Sequence, residues 1–172
     1  VSFAGDLKEA VLWSGALATS NVRRRATLLP GGETLTDANE APADVISPGR
    51  FLYEPDPAVV RAHLVGAVAN VVHGGLLDAT TAYITSDADV ATPFARAFEI
   101  TDVTPFSFKR LRQKLHEREV GAVTIMKRGS AVDVEQLRRD LRLKGREHAV
   151  VVLALINGRR EVLLARPVSR HC

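Results

Sequence analysis

The stretch His148-Ala149-Val150-Val151-Val152-Leu153-Ala154-Leu155-Ile156-Asn157-Gly158-Arg159-Arg160-Glu161-Val162-Leu163-Leu164-Ala165-Arg166-Pro167-Val168 carries the strongest structural signal in the chain. Two runs rich in β-branched residues and leucine flank Asn157-Gly158. That dipeptide suits a two-residue hairpin turn, where both central residues need positive φ. The pattern predicts strands over 148–156 and 161–168. Just upstream, Asp133 with Gln136 three residues later marks a helix start, with Val134, Leu137 and Leu141 on its buried face and Gly145 as its stop. Ala122 to Met126 reads as a strand, followed by the turn Lys127-Arg128-Gly129-Ser130. Ser107 caps a helix running to about Glu119, buried through Phe108, Leu111 and Leu115, and Phe98 to Val103 is a strand. The order β-α-β-α-β-β predicts an α/β (α+β) two-layer sandwich, with the helices on one face of a small mixed sheet.

Further upstream the signals are more mixed. Asp6 is placed to cap a helix carrying Leu7, Ala10, Val11 and Leu17 at helical spacing, with Trp13 nearby. Val22 to Leu29 reads as a strand closed by Pro30-Gly31-Gly32, with Thr34 to Thr36 as its return. Residues 37–49 read as loop. Phe51 to Glu54 is extended, Asp56 caps the next helix and Pro57 occupies its first turn. Val59, Val60, Leu64, Val68, Val71 and Val72 give that helix a largely apolar surface, weakened near Gly66 and ended by Gly74-Gly75. Ala82 to Thr85 is a short strand. These readings divide the chain into 1–45, a helical connecting segment 46–97, and a basic α/β domain 98–172.

Charge is spread unevenly over the 172 residues. Residues 1–97 hold seven Lys/Arg against eleven Asp/Glu, a net −4, whereas residues 98–172 hold sixteen against nine, a net +7. Such asymmetry points to a polyanionic partner for the second half. The longest apolar run, Ala149 to Ile156, is far shorter than the ~20 residues that cross a bilayer. A single cysteine, Cys172, permits no disulfide within the chain and agrees with a reducing, cytoplasmic setting. The chain begins at Val1 and its one methionine is Met126, so it is expected to be part of a longer product.

On the first basic helix, Lys109, Arg110, Arg112 and Lys114 avoid the apolar stripe; on the second, Arg138, Arg139, Arg142 and Lys144 do so. Helices on one side of a sheet share an outer face, and Lys127 and Arg128 lie in the turn between them. Lys109, Arg110, Lys127, Arg128, Arg138, Arg142 and Lys144 are therefore the candidate nucleic-acid-binding residues, because phosphates answer such a surface. The competing reading is a solvated face balanced by Glu117, Glu119, Glu135 and Asp140. Arg23, Arg24 and Arg25 sit on a strand and alternate between its faces, so they make no common patch. Glu54 and Asp56 read more simply as helix-start carboxylates than as an acid/base pair. His63, His73, His116, His148 and His171 show no metal-ligand spacing, and no glycine-rich phosphate loop or nucleophile elbow occurs. No catalytic, cofactor-binding or metal-binding residue is expected in this chain.

The run Asp6-Leu7-Lys8-Glu9-Ala10-Val11-Leu12-Trp13, with Arg24-Arg25-Ala26-Thr27-Leu28-Leu29-Pro30-Gly31-Gly32, resembles the tail of the catalytic domain of bacterial class I S-adenosylmethionine-dependent methyltransferases that end in a THUMP-like domain. Tyr53-Glu54-Pro55-Asp56-Pro57 resembles a segment that follows that tail. Pro105-Phe106-Ser107-Phe108-Lys109-Arg110-Leu111, Lys127-Arg128-Gly129 and Leu141-Arg142-Leu143-Lys144-Gly145 resemble the THUMP-like domain itself. Met126 and Ser130 depart from it, standing where a basic and an apolar residue are expected.

The resemblance implies a methyltransferase-domain tail over 1–45, a catalytic core upstream, and S-adenosylmethionine as cofactor of the full-length protein. It also implies an RNA substrate, tRNA or rRNA, for the basic domain, and inactivity of this piece alone. The alternative is a structural or protein-interaction module that binds no nucleic acid, motivated by the apolar Val59 to Val72 helix.

Overall fold

The computed structural model describes residues 1–39, 42–128 and 131–168. The expected turn at Gly129-Ser130, and His171 and Cys172, lie outside the described residues. The chain opens with a tight hairpin, β1 (Ser2–Phe3) and β2 (Asp6–Leu7), turned through Ala4 and Gly5 at positive φ. β3 (Arg25–Leu29) and β4 (Glu33–Thr36) form the second expected hairpin. β1 lies parallel to β3, which gives a small sheet of order β2-β1-β3-β4.

The helix expected from Asp6 does not form. Residues 8–24 are irregular apart from a 3-10 turn at Gly15–Leu17, where Gly15 takes a positive φ of 57°. The apolar side chains there are poorly buried within the chain: Leu17 and Leu12 are exposed, the latter 93%, and Leu7 and Val11 are about half exposed. A short helix in water depends on such packing for its stability.

β5 (Phe51–Pro55) leads into α1 (Pro57–Arg61), with the Asp56 carboxylate accepting from the Ala58 N–H at 2.8 Å as its cap. The long helix expected here is divided. α1 stops, His63 takes a left-handed φ of 57°, and α2 (Val65–Val71) begins afresh, with Gly66 inside it. Val59, Leu64, Val68 and Val72 are fully buried within the chain, so the apolar side of this segment is core, while Arg61, Asn70 and Val71 are exposed.

β6 (Gly75–Leu76), β7 (Ile84–Ser86), β8 (Ala95–Pro105), α3 (Phe108–Glu117), β9 (Val120–Lys127), α4 (Val134–Leu141), β10 (Glu147–Ile156) and β11 (Arg159–Pro167) complete the chain. The strands form one mixed seven-stranded sheet of order β6-β7-β5-β8-β11-β10-β9. The α/β class and the β-α-β-α-β-β order are as expected, but the sheet is wider than its last four strands. β8 is eleven residues long and pairs with β5 along one edge and β11 along the other. The boundary expected at residue 98 therefore falls inside β8. β9 and β10 are parallel, joined through α4; β10 and β11 turn on Asn157 and Gly158 at φ 50° and 75°.

Alternation along the strands builds two layers. Val151, Leu153, Val162 and Leu164 face Leu111 and Leu115 of α3 and Leu137 and Leu141 of α4. Val150, Val152, Leu163 and Met126 face the other way, with Leu52, Leu77, Tyr83 and Phe98. Phe108, expected on the buried stripe, is 38% exposed, and Val134 is half-buried. α4 ends one turn before the expected stop, with Arg142 in the left-handed conformation. Gly145 instead permits a close backbone approach. A Cβ there would stand 1.7 Å from the Glu119 carbonyl oxygen, so only glycine lets the two backbones meet.

Candidate nucleic-acid interface

α3 and α4 pack on the same face of the sheet through their leucines, so their polar sides share the outer surface. Ser107 caps α3 by accepting from the Arg110 N–H at 3.5 Å. Asp133 caps α4 by accepting from the Gln136 N–H at 3.0 Å, and that bond, with the Glu135 N–H and nearby Arg139 and Lys127, holds its carboxyl below the ordinary range. The reciprocal half of a capping box is not made, because the Gln136 amide oxygen accepts from Arg139 at 2.7 Å while its NH2 donates to Asp140.

The seven candidate cations divide by surroundings. Lys109 and Arg110 are exposed on α3 and make no ion pair among the described residues. Arg142 and Lys144 are likewise exposed and unpaired among the described residues, just beyond α4. Arg138 is exposed but bonded to Glu135 at 2.8 Å. Lys127 points to the helix side, where its ammonium donates to the Val132 carbonyl at 2.8 Å and ties down the approach to α4. Arg128 follows Met126 onto the opposite face of the sheet. Its guanidinium lies 5.5 Å from the Tyr83 ring centroid and 3.9 Å from Glu54. The neighbours Lys127 and Arg128 thus serve different surfaces, as alternation along a strand requires.

Acids neutralise part of the helix side. Asp102 takes both Lys114 and Arg118, the latter at 3.1 Å. Cations of this side without an acid partner among the described residues include the Lys109/Arg110 pair, half-buried Arg112, the Arg142/Lys144 pair, and Arg146, exposed at the same end as the latter pair and not singled out by the sequence. Helical phasing alone would not have found Arg146, which precedes β10.

A second cluster escaped the sequence reading. Glu54 accepts from Nε of Arg96 at 3.1 Å and from its Nη2, and faces Arg128 with its other oxygen. Tyr83 is buried beside these groups, and burial followed by the Glu54 charge pushes its hydroxyl well above the ordinary tyrosine range. The signal was present only as Glu54 opposite Arg96 in the β5–β8 register, which sequence spacing does not reveal.

Among the described residues no group of three or more His, Cys, Asp or Glu is placed to hold a metal, and no helix is long and apolar enough to cross a membrane. Nor do the described residues set a glycine-rich turn between a parallel strand and a helix start, the usual cradle for a nucleotide-type cofactor. No residue here is assigned to S-adenosylmethionine.

Residues 95–167 match the family described as THUMP domain-like, a span that begins at β8 and ends with β11. The chain is 40% identical over 157 residues to uncharacterized S-adenosylmethionine-dependent methyltransferases of two Mycobacterium tuberculosis strains, CDC 1551 / Oshkosh and ATCC 25618 / H37Rv. The match takes in 91% of this chain and 43% of each relative, so the chain spans less than half the length of the curated proteins it matches. A crystal structure of a protein from Porphyromonas gingivalis W83, provisionally named a methyltransferase, superposes with a TM-score of 0.68 at 21% identity. It covers 84% of this chain and 38% of that one, and shares the fold. Residues 95–167 are thus similar to the THUMP domain-like family, and the chain is similar over most of its length to proteins named as S-adenosylmethionine-dependent methyltransferases.

Proposed function

We propose that this chain is the C-terminal part of an S-adenosylmethionine-dependent methyltransferase whose catalytic core and cofactor site lie outside it. In this reading the outer surface of α3 and α4 holds an RNA substrate, tRNA or rRNA, and the piece alone transfers no methyl group. The observation that carries it is the set of exposed cations Lys109, Arg110, Arg142 and Lys144, unpaired among the described residues, on the helix side of the sheet. Four such contacts release counterions on binding, so the logarithm of affinity falls with the logarithm of salt at a slope of about −3 to −4. Fluorescence anisotropy with labelled tRNA across a salt series measures that slope. Replacing Lys109 and Arg110 together by Glu weakens binding at low salt and flattens the slope by about 2. Absence of binding at low salt, or affinity unchanged by the double replacement, rules the reading out.

A protein-contact role for residues 1–29 accompanies this reading and has its own support. Phe3, Val11, Leu12, Trp13, Leu17 and Leu29 are all exposed, and several of them line a cleft of about 500 Å³ beside α1. Exposed apolar side chains gathered at a cleft rimmed by polar residues are a common feature of interfaces. Its occupant in this reading is the protein's own catalytic domain.

A further inference from the structure

The sheet face opposite α3 and α4 is only half covered. Toward the β10–β11 turn, residues 77–83 lie over it: Leu77 and Tyr83 pack with Phe98, Met126 and Leu163, and the Asn157 N–H donates to the Leu77 carbonyl at 3.2 Å. At the other end of β10 a cleft of about 450 Å³ stays open. Phe98, Met126 and Val150 form its apolar floor; Arg96, Thr124 and His148 stand at its edge, the last two hydrogen-bonded at 3.0 Å. Among the described residues no carboxylate lines it.

Its electrostatics come from the group at its Arg96 wall. Glu54 is one carboxylate between two guanidiniums, so Glu54, Arg96 and Arg128 carry one uncompensated positive charge. Arg96 gives Nε and Nη2 to Glu54, which leaves the Nη1 donors for another acceptor. The Tyr83 hydroxyl is fully buried beside Glu54 and Arg128 under the covered end of the face, so Arg96 is the charged group of this cluster that lines the cleft.

We propose that this cleft binds a single nucleotide, with the base on the Phe98–Met126–Val150 floor and the phosphate on Arg96. The volume lies within the range of small-molecule sites, and an apolar floor with few polar groups at its edge fits a planar ring that carries an oxyanion. Thr124 and His148 offer both donors and acceptors to the edge of a base. An unpaired RNA nucleotide and a free nucleoside monophosphate share this chemistry. The RNA source rests on the function proposed above; the cleft itself does not.

Backbone amide NMR distinguishes the cases, with uridine and adenosine 5′-monophosphates and a short single-stranded RNA as probes. The expected result is shifts of Phe98, Thr124, Val150 and His148 with each probe, and binding weaker by about tenfold or more in Arg96→Ala. Thr124→Trp is the second variant. Thr124 is exposed, so the indole fills the cleft without entering the core. If the monophosphates bind here and RNA does not, the cleft stands as a free-nucleotide site and the RNA reading falls. If RNA binds and is lost on reversing Lys109 and Arg110, yet neither cleft variant matters and the monophosphates shift nothing, the cleft proposal is overturned and the RNA reading survives. Absence of shifts with every probe overturns it as well.

Discussion

Asp78 joins two segments eighty residues apart, and replacing it by Asn tests how the sheet face opposite the helices is held. Its Oδ1 accepts from the Thr80 N–H at 2.8 Å and the Thr80 hydroxyl at 2.6 Å, and its Oδ2 accepts from the Gly158 N–H at 2.8 Å. An asparagine presents one acceptor oxygen, so either Thr80 or Gly158 then faces an NH2 group. Asp78 is 6% exposed, and water offers little replacement. Losing a hydrogen bond to a charged acceptor costs ~1.5–3 kcal/mol, and a chain of this size shifts by ~2–4 °C per kcal/mol, so Asp78→Asn lowers Tm by about 5–10 °C at neutral pH. The difference depends on pH in a defined direction. The Thr80 hydroxyl first, then the N–H groups of Thr80 and Gly158, hold the carboxyl below its ordinary value of 3.8. A depressed pKa contributes stability that is fully present above the unfolded value and is lost as pH falls through the folded one. The gap between wild type and variant therefore persists from neutral pH down to about 4 and narrows below it. Thermal unfolding followed by circular dichroism over that range makes the comparison. Equal Tm values at neutral pH, or a gap that widens on acidification, would refute the reasoning.

Arg142→Gly separates stability from binding. Relieving the left-handed conformation of Arg142 raises stability by ~0.5–1 kcal/mol in denaturant titration, while removal of an exposed cation weakens RNA binding in the salt series; both changing in the same direction contradicts the assignment. Leu12→Ser with Trp13→Ser leaves Tm within about 1–2 °C in thermal unfolding, because both side chains are exposed. A large loss of stability would instead place those residues in this chain's own core.

Much of the last half was legible because its signals are local. Asn157-Gly158 dictated positive φ at both positions, and Ser107 and Asp133 cap their helices as their positions suggested. Asp56 with Pro57 was equally readable. What failed depended on surroundings. Leu7, Val11 and Leu17 have helical spacing, yet the chain leaves all three exposed and no helix forms. The 57–71 segment broke at His63 and not at the glycine, because residues 62–64 turn the chain so that α1 and α2 both reach the core under β5. The sheet's width was hidden because Phe51 pairs with Glu99 across nearly fifty residues of sequence.

Charge counting located the basic excess in residues 98–172 but could not say which way each charge points. The strand pattern could have done so for Lys127 and Arg128, as it did for the three arginines leading into β3. Lys127 serves the helix side by fixing the entry to α4, and Arg128 crosses to Tyr83 and Glu54. The junction has consequences for both surfaces because β8 is common to them. Arg96 near its start pairs with Glu54, and Asp102 further along holds Lys114 and Arg118 of the helix side. One strand thus fixes the charge at the cleft wall and draws two cations away from the helix surface. That leaves exposed cations without an acid partner among the described residues at both ends of the helix side, Lys109 and Arg110 at one and Arg142, Lys144 and Arg146 at the other, with half-buried Arg112 on α3 between them, so the proposed RNA contact is expected to weaken when either group is reversed.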